Sequence, residues 1–245
     1  MLFHLLHLGR VDYPEALRLQ EELVTLRKEN RIGDTLVLLE HPPVITIGRN
    51  SHRENILATD SELQQRGITL HEINRGGDVT YHGPGQLVGY PILDLRGDLA
   101  QPEGKKRGPH LGAVDYVRQL EQVLIRTCAE YGILTQRIPG RTGVWTIPIG
   151  SAQERKIAAI GVHISRAITS HGFALNVTTD LRDFDLIIPC GIQDRAITSI
   201  EEELASERPV PSLNEVANAT ARSFGAIFGG QMLAARSVEE LLRQS

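Results

Sequence analysis

The sequence predicts a single α+β domain, and three observations carry that expectation. Two long stretches, one near the start and one mid-chain, repeat apolar residues at i, i+3 and i+4, as amphipathic helices do. Short apolar, β-branched runs closed by Gly, Pro, Asn or Asp surround them and fill much of the second half. No repeat, low-complexity tract or linker divides residues 1–245, so the chain is read as one unit.

The elements follow in order. Leu2 to Leu8 is apolar enough for a first strand. Asp12-x-x-Glu15, with Pro14 between, has the form of a helix opening, and Ala16, Leu19, Leu23 and Leu26 continue it over 14–30. Thr35 to Leu39 reads as a buried strand that His41-Pro42-Pro43 breaks before Val44–Arg49 begins another. A short helical piece over 60–66 leads to a strand at 68–73. The segment RGGDVTYHGPGQLVGYPILDL, residues 75–95, holds five glycines and two prolines yet finishes as an apolar strand. After a polar loop at 101–109, Val114, Val117, Leu120, Leu124 and Cys128 mark the apolar stripe of a helix over about 111–131, which places Cys128 in the core. Further strands are expected at 143–147, 156–165 and 172–177, and Ser212-x-x-Glu215 and Ser237-x-x-Glu240 open two late helices.

Composition narrows the function classes. With 41% hydrophobic and 23% charged residues and a net charge of −4, the chain reads as a cytoplasmic globular protein rather than a nucleic-acid binder. The opening MLFHLLHLGR lacks the basic start and length of a signal peptide, and no run reaches the 18 or so apolar residues of a membrane helix. Two distant cysteines make neither a disulfide framework nor a zinc site, so no metal is expected.

Three stretches carry chemistry. In IIPCGI, Cys190 follows an apolar run that Pro189 ends and Gly191 loosens, which suits a thiol displayed at a turn; a buried structural cysteine is the plain alternative. In KIAAIGVHIS, strict alternation puts Lys156 on one strand face with Ala158, Ile160, Val162 and Ile164, and His163 on the other. A lysine there either snorkels to solvent or, beside a thiol, stabilises the thiolate that acts as nucleophile. The glycine segment fits neither a dinucleotide fingerprint nor a P-loop. Its glycines permit close backbone approach to a ligand, with Arg75, Tyr81 and His82 interleaved as polar contacts, and a turn-rich hairpin is the alternative. His171 and Asn176 are candidates to orient a substrate amide or carbonyl.

HPPVITIGR, RGGDVTYHGPGQLVGYPILDL, GRTGVW, KIAAIGVHIS, HGFALNV and IIPCGI, in this order and spacing, resemble the octanoyltransferases of lipoate biosynthesis, over about residues 34–200. The resemblance implies a fold like that of biotin and lipoate protein ligases, a mixed β-sheet flanked by helices. It implies transfer of octanoyl or lipoyl from acyl carrier protein to a lysine of the lipoyl domains of 2-oxoacid dehydrogenases and of the glycine-cleavage H protein, without cofactor. Cys190 would form the acyl thioester and Lys156 would lower its pKa and move protons. The substrate wall would be Arg75, Gly76, Gly77, Asp78, Val79, Thr80, Tyr81 and His82, with Ala159, Ile160 and Gly161, and with Gly172, Phe173 and Ala174. Acidic carriers would dock on Lys105, Lys106 and Arg107 or on Arg137 and Arg141. Two other readings remain at this level. An ATP-dependent lipoate or biotin protein ligase shares the fold but has no need of a cysteine at 190, and a non-catalytic acyl-binding protein would tolerate its loss.

Overall fold

The computed structural model describes residues 1–49, 51, 53–96, 99, 111–147, 153–188, 197–205 and 208–244. Among these, the main sheet is built from β1 (Leu2–Arg10), β2 (Thr35–Glu40), β6 (Gln86–Ile92), β7 (Thr135–Ile138), β8 (Arg141–Thr146), β9 (Lys156–Ser165), β10 (Ile168–Asn176) and β11 (Gln231–Ala235). Its order is β11-β1-β2-β6-β10-β9-β8-β7, and the smaller sheet sets β3 (Val44–Ile47) between β4 (Thr69–Glu72) and β5 (Thr80–His82). β1 runs parallel to both neighbours and the remaining pairs of the main sheet are antiparallel, so the sheet is mixed.

Helices cover both faces because the central strands are apolar on both. In β2, Leu36 and Leu38 join one buried cluster while Val37 and Leu39 join another. The first cluster is capped by α3 (Ala113–Glu130), α4 (Ile200–Leu204) and α5 (Leu213–Phe228), through Tyr116, Leu120, Ile200, Phe224 and Phe228. The second lies under α1 (Tyr13–Lys28) and α6 (Val238–Gln244), through Ala16, Leu23, Leu26 and Leu241. A third cluster joins the small sheet to α2 (Asp60–Gln65) and to a 3₁₀ turn at Leu181–Leu186. No helix of the described residues is long and apolar enough to cross a membrane.

The elements depart from the sequence reading in a few places. Val114 is 71% exposed, because α3 buries a stripe through Tyr116, Leu120, Val123, Leu124 and Cys128, one position round from the one expected. Cys128 sits fully buried on that stripe, and burial pushes its thiol up to about 12. Asp12 stands at the N-cap of α1 without a side-chain capping bond, whereas Ser212 and Glu215 close a full capping box on α5. Ser237 accepts from the Glu240 amide, but the Glu240 carboxylate turns back to the Arg236 amide instead of to Ser237. Strands β7 and β11 carry little sequence signal, since both are short edge strands, weakly patterned and half exposed.

Candidate active site

A cavity of about 510 Å³ lies against β6, β9 and β10, within the range of small-molecule sites. Pairing fixes which residues meet there. Ala159 lies opposite Ala174, and Gly161 opposite Gly172, so the floor is made of residues with almost no side chain. Gln86, Val88 and Tyr90 continue it on β6. The segment Arg75–Thr80 forms a wall across this floor. Its Gly76 amide donates to the Val162 carbonyl at 2.9 Å, and the buried Arg75 guanidinium donates to the Thr46 carbonyl and hydroxyl at 3.0 Å each.

Gly161 is what allows the wall to sit so close. A Cβ there would stand 2.8 Å from the Gly76 carbonyl oxygen and 3.1 Å from Arg75 Cδ. Gly161→Ala is therefore expected to keep the fold while lifting the Arg75–Gly77 loop. kcat/KM should fall by about 10²-fold, as for other small displacements of positioning groups. A thermal melt and a steady-state assay on the same preparation check this; unchanged activity would mean the loop is no part of the site.

Lys156 reaches the cavity by a route that alternation does not anticipate. Trp145 pairs with Lys156 and Val144 with Ala158, so Ile157 is an extra residue in β9. Ile157 and Ala158 both enter the same buried cluster, and the two-residue alternation breaks there. Lys156 thus shares its face with Trp145, over whose ring its ammonium lies 4.8 Å from the centroid, and with Ala159 and Gly161. The expected companions Ala158, Ile160, Val162 and Ile164 join the buried cluster that α3 and α5 cap, although the first three also border the cavity. His163 is on the Lys156 side but beyond the wall, where its Nδ1 lies 3.5 Å from Arg49.

Buried imidazoles surround the inner end. His82 stacks on Tyr13 at 6.3 Å, and burial with repulsion from His41 and Arg75 holds it at about 3. Nδ1 of His41 donates to the Val11 carbonyl, its Nε2 accepts from Tyr90, and burial holds the ring at about 4. His171, at φ +55 within β10, donates through Nε2 to the Asn74 side-chain oxygen and so ties the strand to the wall; burial, then Arg75, holds it at about 4. All three are neutral at physiological pH.

The chain matches the lipoyl protein ligase A/B catalytic domain family over residues 12–225. It is 62% identical to an octanoyltransferase of Acidobacterium capsulatum, across 99% of this chain and 96% of that one. This chain belongs to the octanoyltransferase family. It is also 54% identical to an octanoyltransferase of Koribacter versatilis, over 98% of this chain and 90% of that one. Among solved structures, a lipoate-protein ligase A bound with ATP superposes with a TM-score of 0.69 at 16% identity, covering 100% of this chain and 94% of that one. A bi-partite lipoate protein ligase from Thermoplasma acidophilum gives 0.65 at 18% identity, over 98% and 90% of the two chains. At such identities the likeness is one of fold.

In this octanoyltransferase chain the expected wall residues Arg75, Gly76, Gly77, Asp78, Val79, Thr80 and His82 line the cavity. So do Lys156, Ala159, Ile160, Gly161, Gly172, Phe173 and Ala174. Tyr81 does not. β5 pairs with β3, and alternation turns Tyr81 away from Thr80 and His82 into the third cluster, where its hydroxyl donates to Asp183 at 2.7 Å. Cys190 and the candidate docking residues Lys105, Lys106 and Arg107 lie outside the described residues. Arg137 is held rather than presented: it pairs with the buried Glu121 and bonds the Arg118 carbonyl and Gln122. Arg141 lines the cavity itself. Tyr13, Gln86 and Tyr90 are cavity residues that the sequence reading did not single out.

Proposed function

We propose that this octanoyltransferase carries an octanoyl group from acyl carrier protein to a lysine of lipoyl domains through a thioester on Cys190, with Lys156 as its acid–base partner. These are the lipoyl domains of 2-oxoacid dehydrogenases and of the glycine-cleavage H protein. The observation that carries the reading is the bulge at Ile157, which sets Lys156 on the face of a cavity floored by Ala159, Gly161, Gly172 and Ala174. Ile197, the first described residue after the stretch holding Cys190, bridges to Lys156 and lines the same cavity.

The chemistry then runs in two exchanges. The Cys190 thiolate attacks the carrier thioester, a carbon–sulfur bond forms as another breaks, and the carrier thiolate leaves with a proton from Lys156. The acceptor amine next attacks the octanoyl-Cys190 carbonyl. A carbon–nitrogen bond replaces the carbon–sulfur bond, Lys156 takes the amine proton, and the thiolate returns. The first exchange is nearly neutral in energy and the second is downhill, so neither asks for ATP. Burying the alkyl chain on an apolar floor contributes about 0.8 kcal/mol per methylene, roughly 5 kcal/mol over the chain.

Enzyme incubated with octanoyl-carrier protein alone should gain the mass of one octanoyl group, removable by hydroxylamine. Adding a lipoyl domain should discharge it without ATP. An absolute need for ATP would move the chain to the ligase reading.

A further inference from the structure

Among the polar cavity atoms with no part in the reaction as written, one has its state fixed by its neighbours. It is Nε2 of His82, and the hydrogen bonds behind the ring fix its state. The Thr198 carbonyl can only accept, so the bond to it at 2.9 Å makes the Asn176 amide nitrogen a donor and leaves the Asn176 oxygen as acceptor. That oxygen takes a hydrogen from Gln86 Nε2 at 2.9 Å, and the same nitrogen donates to the Tyr81 carbonyl at 3.2 Å. The Gln86 oxygen is therefore an acceptor, and the partner 2.7 Å from it, His82 Nδ1, must carry the hydrogen. A neutral ring with its hydrogen on Nδ1 has a bare lone pair on Nε2. His82 lines the cavity at 8% exposure, and with Nδ1 committed to Gln86, its Nε2 is left for a ligand.

The relay also shows where this acceptor belongs. Its far end, Thr198, donates its amide to the Lys156 carbonyl at 3.0 Å, so one chain of hydrogen bonds registers His82 against the strand end that carries Lys156. We propose that His82 Nε2 accepts a hydrogen bond from the attacking amine of the acceptor lysine and so aims its lone pair at the acyl carbon. This deepens, and rests on, the transfer reading above. The ring is too weak a base to keep the proton, since burial holds it at about 3. His82 orients the amine, and the proton goes to Lys156.

The test separates the half-reactions. His82→Asn keeps an amide where Nδ1 stands and removes the cavity acceptor; His82→Gln places an amide near Nε2. Discharge of octanoyl-enzyme to a lipoyl domain should slow about 10²-fold in His82→Asn and recover in part in His82→Gln, with loading from octanoyl-carrier protein within threefold of wild type. Nitrogen NMR of the wild-type enzyme gives a readout independent of any variant. Nε2 of His82 should resonate as unprotonated and shift on adding a lipoyl domain, but not a domain whose target lysine is methionine. A protonated Nε2, or discharge unaffected in His82→Asn, overturns the proposal. So does a defect confined to loading, which would assign the acceptor to an amide of the donor arm. Wild-type enzyme that takes up no octanoyl group would sink the transfer reading itself.

Discussion

Enzyme carrying Cys190→Ser is expected to take up no octanoyl group and to lose at least about 10³-fold in turnover, roughly 4 kcal/mol of transition-state stabilisation. A hydroxyl in that position stays protonated where a thiol beside an ammonium ionises, so the first exchange lacks its nucleophile and the second lacks the thioester it would attack. The second cysteine cannot substitute. Cys128 is fully buried in the core under α3, and its thiol is pushed up to about 12. Cys128→Ser should therefore load octanoyl at the wild-type rate. Lys156→Met should retain slow loading, down about 10²- to 10⁴-fold, and its iodoacetamide reactivity should move to higher pH. Intact mass spectra of the three variants after exposure to octanoyl-carrier protein decide the matter. Near-normal transfer by Cys190→Ser would replace the acyl-enzyme with direct attack of the amine on the carrier thioester.

Acid should destabilise the fold well before its carboxylates protonate. His41, His82 and His171 are held at about 4, 3 and 4, against 6.5 for an unhindered imidazole, chiefly by burial. The unfolded chain takes up these protons as pH falls through 6.5 while the folded chain refuses them. The stability they contribute is thus complete above pH 6.5 and drains away down to about pH 4. Three such groups give a slope near 4 kcal/mol per pH unit in the steepest part, and a loss of about 5 kcal/mol between pH 7 and pH 5. Asp34, whose carboxyl is raised mainly by burial, works in the opposite direction over the lower part of this window. Urea midpoints at pH 7 and pH 5 measure the loss, and equal midpoints would mean that these rings protonate within the fold.

Much of this architecture is legible in the sequence, since burial writes strong periodic patterns. The doubly apolar β2, the capping box at Ser212 and Glu215, and Cys128 under α3 all follow from local spacing. Most of the cavity wall is legible too, because a close backbone approach such as that of Gly76 to Gly161 demands glycine in the sequence. What pairing decides is not legible. Tyr81 sits amid wall residues in the chain, yet its strand partner β3 turns it the other way. Gln86 and Tyr90 share a face with Val88, which their spacing allowed but did not single out. Tyr13 comes from a helix some sixty residues before the wall, and only the packing of α1 brings it in. Nothing local marks Arg137 as other than a charge open to a docking carrier, and only the fold supplies its buried partner Glu121.

The extra residue in β9 acts like a frameshift in a two-letter code. On the C-terminal side of Ile157, odd positions share the face of Ala159 and Gly161 and even positions join the cluster that α3 and α5 cap. On its N-terminal side the phase is reversed, so an even-numbered lysine speaks for the cavity face. A strand can therefore keep an uninterrupted apolar vocabulary for the core and still deliver a single charged word to the other side. Pairing this strand straight through, with Ile157 kept but unbulged, would change no side chain in it, yet the message at position 156 would be addressed to the core.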